Sequence, residues 1–232
     1  MLLAVDTSTA QMGLALYDGV QVPGELVWSS RARHTEQLAP ALAELLARTG
    51  IKIDEITALG VALGPGSFTS LRVGLAFVKG LALARHLPLV GVPTLEAVAA
   101  AVPFIPGTAS AGARQSRRLA AVVQAGRGRL AVGWYRAAEN GWKSEGAAAV
   151  TTAEELAEGI RKPVIVCGEL SADDRQRLGR KFKNVQLASP AQCVRRPALL
   201  AELAWGKWQA GQVEPAASLA PIYLHVAGGP PA

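Results

Sequence analysis

Short apolar runs broken by polar turns open the chain. Residues 2–5 stop at Asp6, residues 12–17 stop at Asp18-Gly19, and residues 25–29 follow, which predicts three strands with a hairpin between the second and third. The period then changes. Over residues 35–48, Leu38, Leu42, Leu45 and Leu46 fall on one helical face, Pro40 sits in the early turns where a lost donor costs least, and Gly50 ends the helix. An apolar run at 56–63 predicts a strand. Residues 70–85 return to helical spacing, with Leu71, Leu75, Val78 and Leu81 as the stripe and Gly74, Ala76, Gly80, Ala82 and Ala84 keeping the rod slim. A strand at 87–92 and a helix at 94–101 complete an α/β lobe, a mixed sheet flanked by helices.

Residues 103–118 are rich in Pro, Gly, Ala and Ser and read as a hinge or exposed loop, so we place one lobe at 1–102 and a smaller one at 103–232. A similar order then restarts: strands at 119–123 and 130–135, a helix at 152–159, a strand at 163–167 and a helix at 171–180. The helix 197–210, with Leu199, Leu200, Leu203 and Trp208 available for burial, is expected to pack back towards the first lobe. The tail Gly228-Gly229-Pro230-Pro231 is expected to fray.

Half of the 232 residues are apolar, ample for a core, while only 5% are aromatic. The start of the chain lacks a basic flank and meets Asp6 early, so it reads as a strand rather than a signal peptide. No apolar run is long enough for a membrane, and the expectation is a cytoplasmic protein with Cys167 and Cys193 as isolated, buried, reduced thiols. The net charge of +6 is uneven: residues 1–100 carry seven Lys/Arg against eight Asp/Glu, residues 101–232 seventeen against ten. Between Glu96 and Glu139 stand Arg114, Arg117, Arg118, Arg127, Arg129 and Arg136 with no acid among them. Such a field suits a polyanion such as RNA or an acidic partner, or is a solvated surface without aromatic stacking residues interleaved.

Two loops could carry chemistry. The run from Gly64 to Arg72 (GPGSFTSLR) turns sharply into a helix that Ser67 or Thr69 can cap, so Gly64, Gly66, Ser67 and Thr69 are candidates for holding an anion at the helix start. A well-capped strand–turn–helix connection explains the same residues. Asp6-Thr7-Ser8-Thr9, at the end of the first strand, can hold hydrated Mg²⁺ and donate to phosphate, or can close a hairpin through local hydrogen bonds. A second carboxylate loop, which autonomous phosphoryl transfer would want, is replaced by Val123-Gln124-Ala125-Gly126, and Gln124 is neither a metal ligand nor a base. His34, His86 and His225 have no ligand spacing, and Ser67 lacks a nucleophile elbow. His34 reads as a helix cap or surface residue. The slim helix and its leucine-bearing neighbour also offer a helix-pair docking surface, beside the face each must bury against its own sheet.

These residues, in order, resemble the TsaB (YeaZ) family, the bacterial accessory subunits of tRNA threonylcarbamoyladenosine synthesis. Asp6-Thr7-Ser8, then His34-Thr35 with Leu38 and Pro40, then Gly64 through Gly74 stand as in its members, followed by Gly80–Ala84, Pro88, Gly91-Val92 and Thr94-Leu95. Ala32, Ser70, Gln124, Gly126 and His225 depart from that pattern. The resemblance implies a two-lobed actin-like, ribonuclease-H-like ATPase-domain fold shared with hexokinase and Hsp70. It implies a non-catalytic scaffold that pairs with itself or with a homologous catalytic subunit, alongside an ATPase subunit, to modify adenosine 37 of tRNAs reading codons that start with A. ATP and metal would belong to those partners, tRNA would be met through the complex, and neither a metal nor a membrane is implied for this chain. Docking would use the helices 35–48 and 70–85, with His34, Leu38, Leu42, Leu45, Leu71, Arg72, Leu75, Val78 and Leu81 at the interface. The alternatives are an autonomous actin-like ATPase or small-molecule kinase built on Asp6, and a stand-alone RNA-binding protein built on the basic stretch.

Overall fold

All five residues of β1 (Leu2–Asp6) are buried, so this run is a central strand covered on both faces rather than an edge. The computed structural model describes residues 1–30, 33–103, 118–139, 141–181 and 183–224. Arg114, Arg117, His225, Ala32 and the glycine–proline tail lie outside that set. The chain divides into two units, residues 1–97 with 196–222, and 98–195 with 223–232. The sequence places that boundary a few residues later, and it leaves the last helix in the second half.

In the first unit, β1 pairs antiparallel with β2 (Gln11–Tyr17), which pairs antiparallel with β3 (Gly24–Ser29). On its other side β1 runs parallel to β4 (Ala58–Ala62), and β4 parallel to β5 (Leu89–Val92). The resulting order is β3-β2-β1-β4-β5. Alternation along β1 sorts the core. Leu3 and Val5 face α1 (His34–Thr49) and α2 (Phe68–Arg85), while Leu2 and Ala4 share a cluster with α3 (Thr94–Ala100) and the last helix, Pro197–Gln209.

That last helix approaches through small side chains. It buries Ala198, Leu200, Ala201 and Ala204; of the face expected for it Leu200 is fully buried, Leu203 and Trp208 pack half-buried against the same cluster, and Leu199 is half-buried. Opposite it the sheet presents Ala4, Ala15, Ala58 and Gly60, and a Cβ at Gly60 would stand 2.7 Å from the Ala204 Cβ. Gly60→Val should therefore cost about 1–3 kcal/mol by overpacking. Ala204→Gly in the same chain should return part of it, because the two sites share one contact. Urea unfolding of the single and double variants measures both.

The second unit repeats the arrangement. β6 (Arg118–Gln124) pairs antiparallel with β7 (Arg129–Ala138) and parallel with β10 (Val164–Gly168), which runs parallel to β11 (Val185–Leu187). β8 (Gly141–Ser144) and β9 (Ala149–Thr152) pair with opposite halves of the long β7 and together occupy the place of a third strand. Strand order and directions thus match the first unit. α4 (Ala153–Gly159) and α5 (Ala172–Gly179) supply Leu156, Ala157 and Leu178 to a separate core with Val122, Val132 and Val166. The last helix, Pro197–Gln209, is α6.

Candidate functional site

The two loops that could bind phosphate fold into each other. The Ser67 N–H donates to the Ser8 carbonyl (2.7 Å), Gly64 N–H to Thr94 Oγ1 (2.9 Å), and Ser8 N–H to Asp6 Oδ1 (2.9 Å). The Ser8 and Thr94 hydroxyls hydrogen-bond to each other at 2.7 Å, and Thr94 N–H returns to the Gly64 carbonyl at 2.8 Å. Thr7 Oγ1 donates to the Ser70 carbonyl (2.8 Å), tying the β1–β2 turn to the first turn of α2. Ser67 caps that helix by accepting from Ser70 N–H, so α2 begins at Phe68, two residues before the start expected from periodicity. Thr69 stands exposed in the first turn.

Glycine is required here by contact as much as by conformation. Gly64 has φ +105°, a left-handed value that side chains disfavour. A Cβ on Gly66 would overlap the Ser8 carbonyl oxygen, and one on Gly74 would overlap Thr7 Oγ1. Asp6, Thr7, Ser8 and Thr9 are all buried. Asp6, Thr7, Ser8, Gly64, Gly66 and Ser67, brought forward from the sequence as anion-site candidates on two loops, fall in one neighbourhood, and Thr94, which bonds to both loops, was not among those candidates. The N–H groups of Gly64, Ser67 and Ser8 and the Thr7 and Ser8 hydroxyls are engaged within the fold and would have to be released to hold a nucleotide phosphate or a hydrated metal. Among the described residues no three His, Cys, Asp or Glu side chains group as a metal site.

The helix face needs correction too. Leu38, Leu42 and Leu45 of α1 and Leu71, Leu75 and Val78 of α2 are buried in the core beneath the first sheet, and Leu81 is half-buried against it. An amphipathic helix turns its one continuous apolar stripe to its own core, so these residues hold the helices down instead of presenting them. His34 is also buried, at 3% exposure, its Nε2–H donating to the Thr9 carbonyl (2.8 Å) with Ser30 Oγ alongside; it anchors α1 to the β1–β2 turn and is neither a cap nor a surface residue.

What α1 and α2 do present is a groove of about 470 Å³ lined chiefly by Thr35, Ala39, Phe68, Arg72, Ala76 and Phe77. Phe68 is 51% exposed, and the Arg72 guanidinium lies 3.6 Å from the centre of its ring. A cation over an aromatic face makes a flat, partly apolar plate. Of the expected interface residues Leu38 and Arg72 line this groove, Leu38 from its buried floor and Arg72 with its side chain outward. Ala76 and Phe77 were legible in principle, since they lie off the leucine stripe by helical phase, whereas Phe68 falls on the stripe by phase and is exposed as the first residue of α2.

In the second unit, Gln124 takes the place where a carboxylate would stand. Its amide donates to the Glu169 carbonyl (3.3 Å) and to Asp174 Oδ2 (3.1 Å), joining the ends of β6 and β10 to the start of α5. The basic stretch is partly neutralised: Arg118 (2.6 Å) and Arg136 (2.7 Å) both pair with Glu145, and Arg118 lies over Trp134. Burial alone would raise the Glu145 pKa, but the two guanidinium groups outweigh it and hold the carboxyl below its usual range. The stabilisation is therefore present above the unfolded carboxylate value of about 4.3 and is lost as pH falls through the lower folded one. Glu145→Gln should cost about 1 kcal/mol or less at neutral pH, since both arginines are solvent-exposed, and the difference from wild type should vanish in acid. Denaturation across pH 3–7 measures it.

Among the described residues no helix is long and apolar enough to cross a membrane. The family model described as TsaD, tRNA N6-adenosine threonylcarbamoyltransferase, matches residues 25–166. The chain is 32% identical over 162 residues to the tRNA threonylcarbamoyladenosine biosynthesis protein TsaB of Escherichia coli, covering 69% of this chain and 66% of that one. Two further curated relatives carry the TsaB name, and the alignments span 42% and 43% of their lengths, so two thirds or less of each curated relative is matched. Among solved structures, YeaZ from Pseudomonas aeruginosa superposes with a TM-score of 0.75 at 24% identity, over 96% of this chain and 99% of that one. The ROK hexokinase of Thermus thermophilus superposes at 0.50 with 12% identity, over 90% of this chain and 99% of that one, in keeping with an actin-like fold of two mixed sheets flanked by helices. By the extent of the family model and the names of its curated relatives, the chain belongs to the TsaB/YeaZ family of the glycoprotease-like superfamily.

Proposed function

We propose that this chain is a non-catalytic accessory subunit in the formation of threonylcarbamoyladenosine at position 37 of tRNA, acting by docking a homologous TsaD-type catalytic subunit on the α1/α2 groove. The observation that carries this reading is the contrast within one unit: the phosphate-compatible loops are packed against each other, while an apolar groove with an exposed aromatic plate stands open beside them. The transferase family model spans 25–166, which includes both helices, so a transferase homologue carries counterparts of α1 and α2 and can meet them like-on-like. The same self-complementary face would pair two copies of this chain when the catalytic subunit is absent.

Chemistry, ATP and metal belong in this reading to the partner subunits, and tRNA is met through the assembly. The autonomous ATPase reading loses three of its phosphate donors, the N–H groups of Ser67, Gly64 and Ser8, to Ser8, Thr94 and Asp6. The stand-alone RNA reading loses two of its arginines to Glu145. Reconstitution tests the proposal. Purified chain with tRNA, ATP and a preformed, adenylate-activated threonylcarbamoyl donor should give no modified nucleoside by mass spectrometry, and adding the catalytic and ATPase subunits should give it. Modification by this chain alone, or undiminished modification when it is left out, would overturn the reading.

A further inference from the structure

Cys167 and Cys193, far apart in sequence, meet in the second unit. Cys167 is the fourth residue of β10 and is buried; Cys193 closes the turn at 189–193 and is half-exposed. Each sulfur sits against the other's chain neighbour: Cys193 Sγ is 3.4 Å from the N of Gly168, next to Cys167, and Cys167 Sγ is 3.5 Å from the carbonyl of Gln192, next to Cys193. Around them the groups are arranged unequally. The Cys193 sulfur receives the Gly168 N–H (3.4 Å) and faces Arg175 Nη1 (3.7 Å), whose Nη2 is fixed by the Ala188 carbonyl at 2.6 Å. As a thiol it has the same carbonyl as its acceptor at 3.7 Å, whereas Cys167 Sγ–H points to the Gln192 carbonyl at 3.5 Å. The turn itself is held by reciprocal Ser189 and Gln192 bonds, which fix Cys193 over β10.

We propose that Cys193 and Cys167 form a peroxide-sensitive dithiol, with Cys193 as the attacking sulfur and Cys167 as the resolving one. The Cys193 thiolate attacks one oxygen of a hydroperoxide, the O–O bond breaks, and the protein holds a sulfenic acid while the alkoxide or hydroxide leaves and takes up a proton. Cys167, deprotonated as it attacks, forms the S–S bond and expels the sulfenic oxygen as water. Two thiols and one hydrogen peroxide thereby give one disulfide and two waters. The division of roles follows from surroundings. The Cys167 thiol, the Gly168 N–H and the Arg175 guanidinium draw Cys193 below the ordinary thiol range against the effect of its partial burial, whereas Cys193 and burial push Cys167 up. Exposure lets the reagent reach the first sulfur and not the second. The product would strap the 189–193 turn to the end of β10.

The test uses the full reduced chain. Iodoacetamide at neutral pH should label Cys193 about tenfold faster than Cys167 or more, and Arg175→Ala should slow that labelling several-fold while Arg175→Lys restores it. Hydrogen peroxide should remove two hydrogen masses from the intact protein and yield the 167–193 linked peptide under non-reducing digestion. Cys167→Ser should stop at a sulfenic acid on residue 193 that dimedone traps, and Cys193→Ser should give neither product. Both thiols surviving peroxide that oxidises an unhindered peptide thiol, a disulfide found only between chains, or a dimedone adduct persisting in Cys193→Ser would each overturn the proposal.

Discussion

Ala76→Arg should weaken binding of the TsaD-type subunit by about a hundredfold or more while leaving the folded chain intact. Ala76 is exposed on α2 and lines the groove, with Phe68 and Phe77 on the same surface. A small residue there lets another helix come close, and a long charged side chain both blocks that approach and would have to be desolvated. Truncating a central aromatic anchor typically costs 2–4 kcal/mol at an interface, about 30- to 1,000-fold in affinity, so Phe68→Ala should show a comparable loss. Calorimetric titration measures the affinity, and sedimentation of the chain alone reports self-association through the same face. Thermal midpoints should be unchanged, since both side chains lie outside the core. Leu75→Asp makes the useful contrast. Leu75 is buried under the sheet, so its loss of binding would arrive with unfolding. Wild-type affinity in both Ala76→Arg and Phe68→Ala would remove the groove from the interface.

That contrast also marks what could be read from the sequence. Strand and helix order was legible because the periods of two and 3.6 are strong from residue 2 to residue 100, and the repeat in the second unit was visible as order alone. Three short strands were not legible. Gly141–Ser144 and Ala149–Thr152 are mostly half-exposed runs whose pairing is decided by the length of β7, and Val185–Leu187 is only three residues long. At the site, glycine and hydroxyl residues announced two loops that approach something closely. They did not announce that the something is the other loop, because donors satisfied at long range leave no local trace. Thr94 illustrates this, lying 86 residues from its partner Ser8. The leucine stripes were found and misassigned: periodicity identifies the apolar face but gives it to the strongest available burial, here the chain's own sheet. The thiol pair was invisible for the same reason as Thr94, with β10 and the 189–193 turn joined only by folding.

Gly66→Ala should destabilise the first unit by about 3 kcal/mol or more, a large effect for so small a change. The added carbon would enter the Ser8 carbonyl, a backbone atom at the β1–β2 turn that cannot swing aside like a side-chain tip. Moving it breaks the Ser67–Ser8 bond and strains the Ser8–Thr94 pair, so the overpacking cost of 1–3 kcal/mol is joined by that of unpaired buried groups. For a chain of this size each kilocalorie shifts the thermal midpoint by about 2–4 °C, giving a fall of roughly 6–12 °C. Gly80→Ala supplies the control from the same helix. Nothing lies within 4 Å of a Cβ there, and alanine in a helix interior should gain up to about 1 kcal/mol. Nucleotide separates packing from ligand binding. A ligand of the folded state raises its midpoint by mass action, so ATP with Mg²⁺ should leave the wild-type transition where it is. A midpoint that climbs with ATP, and stops climbing in Asp6→Asn, would return the Asp6 and Gly64 loops to phosphate and take from the closed packing its meaning as the mark of a subunit that leaves chemistry to its partner.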